Sequence, residues 1–201
     1  DGLVVTGQHN AESPNYLFVN MDVREAGTYR ITLSKNKKRA TYDYVIASRR
    51  AGSRERSSFS SADVVYLIMS DRFVDGDPTN NTVPTMREAA DKSNIHGRWG
   101  GDIQGIINSF DHIAALGATT IWATPLLCDD EATFSYHGYA CSDYYHIDPR
   151  YGSNELYRQM VEKAHEKGLK FIMDMVPNHC GTAHWWNNDL PYSDWYNQWD
   201  E

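Results

Sequence analysis

The chain has 201 residues, of which 41% are hydrophobic, 23% charged and 12% aromatic, a composition that excludes collagen, coiled coil and extended disorder. No apolar run approaches the ~20 residues that cross a bilayer, so we expect no membrane insertion. The formal net charge of −8 divides into +4 on residues 1–61 and −12 on residues 62–201, and this acidic second part argues against nucleic acid as a partner.

The first elements are short runs rich in β-branched and aromatic residues, which predict antiparallel strands over 16–22, 28–33 and 40–47. Residues 48–61 hold six Ser and four Arg, with Phe59 as their only large apolar residue. This composition is typical of a solvated linker, so we place a domain boundary there.

After the linker, strands alternate with helices, which is typical of parallel βαβ units. The strands are predicted over 64–69, 119–123 and 170–176, and the helices over 103–116 and 153–167. Ser153 is the expected N-cap of the second helix, and Gly117 and Gly168 end the two helices. The pattern fits a doubly wound α/β sheet or the opening of a (β/α)8 barrel and does not separate them.

A loop rich in carboxylate and amide oxygens, residues 71–81, directly follows the first of these strands. Its side chains Asp75, Asp77, Asn80 and Asn81 suit a hard cation such as Ca²⁺. An EF-hand fits badly, because Asn80 and Met86 stand where that motif needs Gly and Glu. Further ligands would come from elsewhere, with Gly100-Gly101-Asp102 as candidates. The alternative interpretation is an Asx-turn loop without metal.

Two later stretches place polar groups where strands end. Asp174 lies at the end of the third strand, where an unpaired carboxylate is costly, so it has a structural partner or faces a cleft. His179 is a hydrogen-bond donor, a base or a loop residue, and zinc ligation is not supported by its spacing from His184. Tyr139 lies in the long connection after the second strand and either contacts substrate or packs. The six aromatic residues within 185–199 suit sugar faces or packing equally.

The cysteines and the missing motifs narrow the chemistry further. Cys128, Cys141 and Cys180 form no CxxC pair, so we interpret them as packing thiols that fix no compartment. The chain has no GxxxxGK[ST], GxGxxG or GxSxG motif, so the sequence does not support ATP binding, NAD binding or a serine hydrolase. It opens at Asp1 without a signal-peptide pattern, and we expect that its true N-terminus lies upstream.

Four motifs in order resemble the first third of an α-amylase family barrel, most closely the neopullulanase and cyclomaltodextrinase branch. They are Asp71-Arg-Phe with the acidic loop, Gly100-Gly101-Asp102, residues 136–152, and Asp174 to His179. The resemblance implies an α/β fold with the first three βα units of a (β/α)8 TIM barrel over 62–201. It implies part of an antiparallel β-sandwich over 1–47, with 48–61 as the linker.

The resemblance also implies roles for individual residues. Tyr139 would stack on the sugar in subsite −1, His179 would hydrogen-bond that sugar, and Asp174 would brace the cleft floor. A structural Ca²⁺ would be bound by Asp75, Asp77, Asn80, Asn81, Gly100 and Asp102. The family more often has Asn at position 75, an exchange that keeps an oxygen ligand and adds charge.

The activity implied is retaining hydrolysis of α-1,4 or α-1,6 glucosidic bonds in starch, pullulan or cyclodextrin, with an α-glucan oligosaccharide as partner. The family's catalytic carboxylates follow its fourth, fifth and seventh strands, so we expect no catalytic residue in this segment. The alternatives are a non-catalytic α-glucan-binding protein with a degenerate barrel, and an unrelated doubly wound domain with a calcium-stabilised loop.

Two expectations concern the protein's surroundings. Enzymes of this branch work in the cytoplasm or the periplasm, so the resemblance leaves both compartments open, and we favour the periplasm. Three parallel strands of a barrel have two unpaired edges and an uncovered inner face, which invite pairing between chains. We therefore expect a homodimer or a strand-swapped oligomer.

Overall fold

The computed structural model describes residues 2–56 and 58–199. Within these ranges the chain forms two compact units, one of residues 2–56, 58 and 188–199 and one of residues 59–187. The division after residue 58 falls inside the predicted linker. No helix in the described part is long and apolar enough to cross a membrane.

The N-terminal unit contains two antiparallel strand pairs. Strand β1 (Leu3–Asn10) pairs with β2 (Leu17–Val23), and β3 (Gly27–Lys35) pairs with β4 (Lys38–Ile46). The second pair turns through Asn36 and Lys37, which both have positive φ, as a two-residue hairpin turn requires. The three predicted strands are confirmed as β2, β3 and β4, whereas β1 was not predicted.

Residues 188–199 are part of this N-terminal unit, although the sequence groups them with the barrel. The Asp189 carboxylate accepts hydrogen bonds from Ser13 Oγ at 2.6 Å and from Asn15 Nδ2 at 2.8 Å. The ring of Tyr192 stacks on Phe18 with centroids 5.7 Å apart. These contacts, all within the first unit, explain the placement of the segment.

The second unit is built on a parallel sheet of three strands, of which the second in sequence lies in the middle. Its strands are β5 (Val65–Ile68), β6 (Thr120–Ala123) and β9 (Lys170–Met173), as predicted but shorter. Two further strands, β7 (Leu127–Cys128) and β8 (Asp143–Ile147), form a separate antiparallel pair in the long connection after β6. The strand–helix–strand order therefore gives parallel neighbours, as βαβ units do.

Three α-helices accompany this sheet: α1 (Ile103–Asn108), α2 (Phe110–Ala115) and α3 (Asn154–Glu166). The predicted helix over 103–116 is broken at Ser109, whose side-chain hydroxyl donates to the Gly105 carbonyl. Helix α3 begins as predicted, because Ser153 Oγ accepts a hydrogen bond from the Leu156 amide at 3.1 Å.

The core of the second unit lies on one face of the parallel sheet. The fully buried apolar side chains come from the strands and helices together, namely Ile68, Ile103, Ile106, Ile113, Ile121 and Met160. On the opposite face Val65, Leu67 and Trp122 are exposed. The helices thus cover one face of the sheet, and the carboxyl ends of all three strands meet at one edge.

Candidate active site

Asp174 immediately follows β9 and is the centre of a small hydrogen-bonded group at that edge. Its Oδ2 atom accepts one hydrogen bond from the Tyr139 hydroxyl and one from Trp122 Nε1, each at 3.0 Å. Tyr139 comes from the connection after β6, and Trp122 from β6 itself. The structure therefore brings together Asp174 and Tyr139, two of the predicted substrate residues, and gives Asp174 protein partners.

The position of Tyr139 next to a carboxylate affects its hydroxyl. Burial raises the pKa of Tyr139, and the hydrogen bond to the negatively charged Asp174 raises it further. The phenol therefore stays protonated and donates to Asp174 at neutral pH. This bond fixes the ring, so that the ring can act as a platform of defined orientation.

His179, the third predicted substrate residue, joins the same group through the Tyr139 backbone. Its Nε2 lies 3.0 Å from the Tyr139 carbonyl oxygen, which can only accept, so Nε2 carries the proton. Asn178 Nδ2 lies 3.1 Å from Nδ1, which is then the acceptor. The Tyr144 hydroxyl donates to the His179 carbonyl at 2.6 Å. His179 is exposed, but both ring nitrogens have protein partners in this arrangement.

A buried ionic group supports the loop that bears Tyr139. Arg150 forms a paired hydrogen bond with Asp148, at 2.9 Å and 2.7 Å, and its Nη2 also donates to the Asp129 carbonyl. The Asp129 carboxylate in turn accepts from the Ala140 amide at 3.1 Å, next to Tyr139. Asp129 is thus the link between the buried ion pair and the loop.

Asp148 and Asp129 are both buried, but their pKa values are shifted in opposite directions. Burial raises the pKa of Asp148, but the hydrogen bonds and charges of Arg150 and Arg98 outweigh it, and the net pKa lies below the usual value. Burial also raises the pKa of Asp129, and the Asp148 and Glu131 charges add to it, so that the pKa of Asp129 is about 7. His137 Nδ1 lies 4.0 Å from this carboxylate.

A second buried cluster joins the start of the acidic loop to the same connection. Asp71 accepts from the Trp99 amide at 2.8 Å and from Arg72 at 2.7 Å, and Arg98 Nε lies 3.7 Å from it. Arg98 donates to the Ser135 carbonyl at 3.1 Å, and its guanidinium lies over the Tyr151 ring. This cluster fixes residues 98–100 relative to the loop that leads to Tyr139.

Asp102 organises the predicted metal loop through backbone amides. Its fully buried carboxylate caps α1 at the Gly105 amide at 2.6 Å and accepts from the Asp77 amide at 2.7 Å. It also accepts from the Gly76 amide and, at 3.4 Å, from Asn80 Nδ2. Asp77 Oδ1 accepts from the hydroxyl and amide of Thr79. Both Asp102 oxygens therefore accept from N–H donors.

Three other oxygens of the loop have the character of cation ligands. Asp75 Oδ1, Asn80 Oδ1 and Asn81 Oδ1 are buried without a hydrogen-bond partner. Gly100 has φ of +90° and faces Asn81, where an added Cβ would lie 2.4 Å from Asn81 Oδ1. Buried acceptors without donors are costly, and carboxylate and amide oxygens suit Ca²⁺. The residues therefore fit a hard cation, although no described cluster combines three His, Cys, Asp or Glu side chains as ligands.

Several residues of the site escaped the sequence prediction. Trp122 and Asp129 are single residues whose partners lie 52 and 11 positions away along the chain. Arg98 lies beside a predicted motif, but nothing in its spacing indicates that its side chain is buried. In the pairing of β6 with β9, Trp122 lies opposite Ile172. Because side chains alternate along a strand, Trp122 and Asp174 lie on the same face of the sheet, and this register could have predicted their contact.

Comparisons with known proteins decide between the two α/β architectures. Residues 67–201 match the family described as alpha amylase, catalytic domain, and residues 1–50 match that described as cyclomaltodextrinase, N-terminal. The chain belongs to the α-amylase family. Its parallel strands are accordingly the opening βα units of a (β/α)8 barrel, as the resemblance implied, and a doubly wound sheet is excluded.

Individual relatives within the α-amylase family agree with this assignment. Beta/alpha-amylase of Paenibacillus polymyxa is 37% identical over 141 residues, covering 68% of this chain and 12% of that protein. Neopullulanase 2 of Thermoactinomyces vulgaris is 35% identical over 141 residues, covering 66% and 23%. An Anoxybacillus α-amylase crystal structure superimposes with a TM-score of 0.62 at 34% identity, covering 69% and 29%. The chain thus spans less than a third of the length of these proteins.

Proposed function

We propose that the whole protein is a retaining glycoside hydrolase of α-glucans, and that residues 62–201 form the first part of its catalytic barrel. The observation that supports this most is the group of Tyr139, His179 and Asp174 at the carboxyl ends of the parallel strands. In (β/α)8 enzymes that edge is where substrates bind. The similarity to neopullulanase and cyclomaltodextrinase proteins favours starch, pullulan or cyclodextrin as substrate.

We infer that this segment supplies the substrate floor and not the reacting carboxylates. Retaining hydrolysis needs a nucleophile and a proton donor about 5–5.5 Å apart. Asp174 is held by Trp122 and Tyr139 and cannot fill both roles. In this proposal Tyr139 stacks on a sugar ring, His179 exchanges its contact with the Tyr139 carbonyl for one with a sugar hydroxyl, and Asp174 fixes the Tyr139 ring.

The alternative is a protein that binds α-glucans without cleaving them. The full-length protein would be incubated with pullulan, starch and cyclodextrin, while reducing ends and oligosaccharide binding are measured separately. We expect release of reducing ends with retention at the anomeric carbon. Binding without release would favour the alternative, and the absence of both would remove α-glucans from the proposal.

We also propose that the acidic loop, residues 71–81, binds a structural Ca²⁺ with help from residues 100–102. Structural calcium is common in α-amylase family enzymes. The unpaired oxygens of Asp75, Asn80 and Asn81 support this, and the bound ion would supply the charge that holds them together. Since a ligand that binds only the folded state stabilises it, we expect EDTA to lower the Tm of the calcium-loaded protein, and Ca²⁺ but not Mg²⁺ to restore it. An unchanged Tm would contradict the calcium site.

A further inference from the structure

Lys92 places a positive charge directly on the proposed calcium loop. Its Nζ lies 3.0 Å from Asp75 Oδ2, which also accepts a hydrogen bond from Asn81 Nδ2 at 2.8 Å. The other Asp75 oxygen, Oδ1, is one of the three buried oxygens without a partner. One carboxylate thus carries a lysine ammonium on one oxygen and an open acceptor on the other.

Hydrogen bonds hold the backbone around Lys92, whereas its side chain is largely exposed to solvent. Asp91 donates its amide to the Arg98 carbonyl at 2.8 Å, and its carboxylate accepts from the Ser93 amide and hydroxyl. The Lys92 side chain itself is 60% exposed, against 23% for Asp75. The ammonium can therefore turn into water without any movement of the backbone that presents it.

A divalent cation on Asp75 and an ammonium on the same carboxylate repel each other. Like charges a few ångströms apart, partly shielded from water, raise each other's free energy strongly. Binding of a cation through Asp75 Oδ1 would therefore favour departure of the Lys92 ammonium from Oδ2. Without a cation on Asp75, the ammonium would offset the charge of this carboxylate.

From this geometry we propose that Lys92 competes with Ca²⁺ for Asp75, so that calcium binding at this loop is an exchange of one cation for another. The inference rests on the proposed calcium site and adds its regulation. The loop is stabilised by a tethered ammonium when calcium is scarce and by the metal when calcium is abundant. Lys92 thereby lowers the apparent calcium affinity of the loop.

Lys92→Met in the full-length protein tests this competition, since it keeps the length of the side chain and removes the charge. Titration of the calcium-free protein with CaCl₂ by calorimetry should show calcium binding on the order of tenfold tighter than in the wild type. Lys92→Arg, which retains the charge, should bind calcium as the wild type does. Lys167→Met is the matched control, because Lys167 forms an exposed ion pair with Asp111 on another part of the unit.

The stability of the calcium-free protein gives a second readout. Lys92→Met should lower the Tm in EDTA and increase the rise in Tm on adding CaCl₂. Lys167→Met should change the Tm in EDTA and the Tm with CaCl₂ by equal amounts. Equal calcium affinities in Lys92→Met and wild type would overturn the role of Lys92 alone. No calcium binding by any variant would overturn the calcium site, and the exchange with it.

Discussion

Tyr139 has two separable features, a ring and a hydroxyl group, and the proposed function gives them different roles. The hydroxyl binds Asp174, which orients the ring, and the ring offers the face on which a sugar would stack. Tyr139→Ala in the full-length protein removes both, and we expect maltooligosaccharide affinity to fall by about 10–100-fold, by analogy with the stacking of a nucleic-acid base on an aromatic ring, which is worth about 1–3 kcal/mol. Tyr139→Phe keeps the ring, so its maltooligosaccharide affinity should fall only a few-fold. Calorimetric titration would measure both affinities.

Tyr145 provides a control on the same connection. Its side chain is 76% exposed, so Tyr145→Ala should leave oligosaccharide affinity near that of the wild type. Trp122→Phe removes the other donor to Asp174 while keeping an aromatic ring, and its effect on affinity should resemble that of Tyr139→Phe. A Tyr139→Ala variant that binds oligosaccharide as tightly as Tyr145→Ala would contradict the stacking role.

Asp129 predicts a particular dependence of stability on pH. Its pKa is raised from 3.8 to about 7 by burial and the neighbouring Asp148 and Glu131 charges, so the folded state binds a proton that the unfolded state releases. Its contribution to stability is therefore fully present below pH ~4 and is lost as the pH rises through about 7. Since one pKa unit corresponds to about 1.4 kcal/mol, the loss amounts to a few kcal/mol at most.

Asp129→Asn should remove this pH-dependent contribution to the free energy of unfolding. Between pH 4.5 and 8, urea unfolding should show that the free energy of unfolding of the wild type falls relative to that of the variant. Asp130→Asn, which changes a carboxylate at the neighbouring position, should follow the wild type over the same range. A constant difference between wild type and Asp129→Asn would show that Asp129 is ionised in the folded state throughout.

At the scale of elements, helix α3 depends on its first turn. Ser153 Oγ accepts from the Leu156 amide, which otherwise lacks an intrahelical partner. Ser153→Ala should cost about 1 kcal/mol, which lowers the Tm by about 2–4 °C in a protein of this size. Thermal unfolding measures this, with the exposed Ser48→Ala as control. Equal Tm values for the two variants would show that the cap adds nothing to the stability of α3.

Elements whose signals are local could be predicted from the sequence. The three parallel strands, the Ser153 cap and the glycine stops each depend on residues next to one another, and the structure contains them. The strands are buried on one face only, because Val65, Leu67 and Trp122 are exposed on the other. Strand β1 was missed because its pattern is weak and its pairing with β2 defines it. The break at Ser109 was not predicted, because the apolar spacing of 103–116 continues across it. At the break, the Ser109 hydroxyl donates a hydrogen bond to the Gly105 carbonyl.

The site follows the same division between local and distant signals. Asp174 and Tyr139 are predicted from their positions after strands and from the family resemblance, and the structure joins them by a hydrogen bond, while their contact with substrate stays a prediction. Asp129 and Arg98 act through contacts between segments of the chain that only the fold brings together. Their burial inverts the usual rule that charged side chains lie outside, so no pattern of polarity could indicate them.

At the scale of the whole molecule, the second unit presents surfaces that its own described residues leave open. Strands β5 and β9 are the two outer strands of the three-stranded sheet, and each pairs along one side with β6. Next to them, Val65, Leu67 and Trp122 form an exposed apolar face. Unpaired edges and exposed apolar patches both favour association between chains.

We therefore expect the 201-residue chain, handled alone, to self-associate in a concentration-dependent way. Leu67→Lys places a charge in the exposed apolar face, where the Leu67 side chain is 57% exposed, and should shift the chain toward monomer without unfolding it. Leu116→Lys, at a similarly exposed position at the end of α2, should not. Size-exclusion chromatography with light scattering would compare the variants, with circular dichroism to verify folding. A wild-type monomer at all concentrations would show that this face and these edges do not drive association.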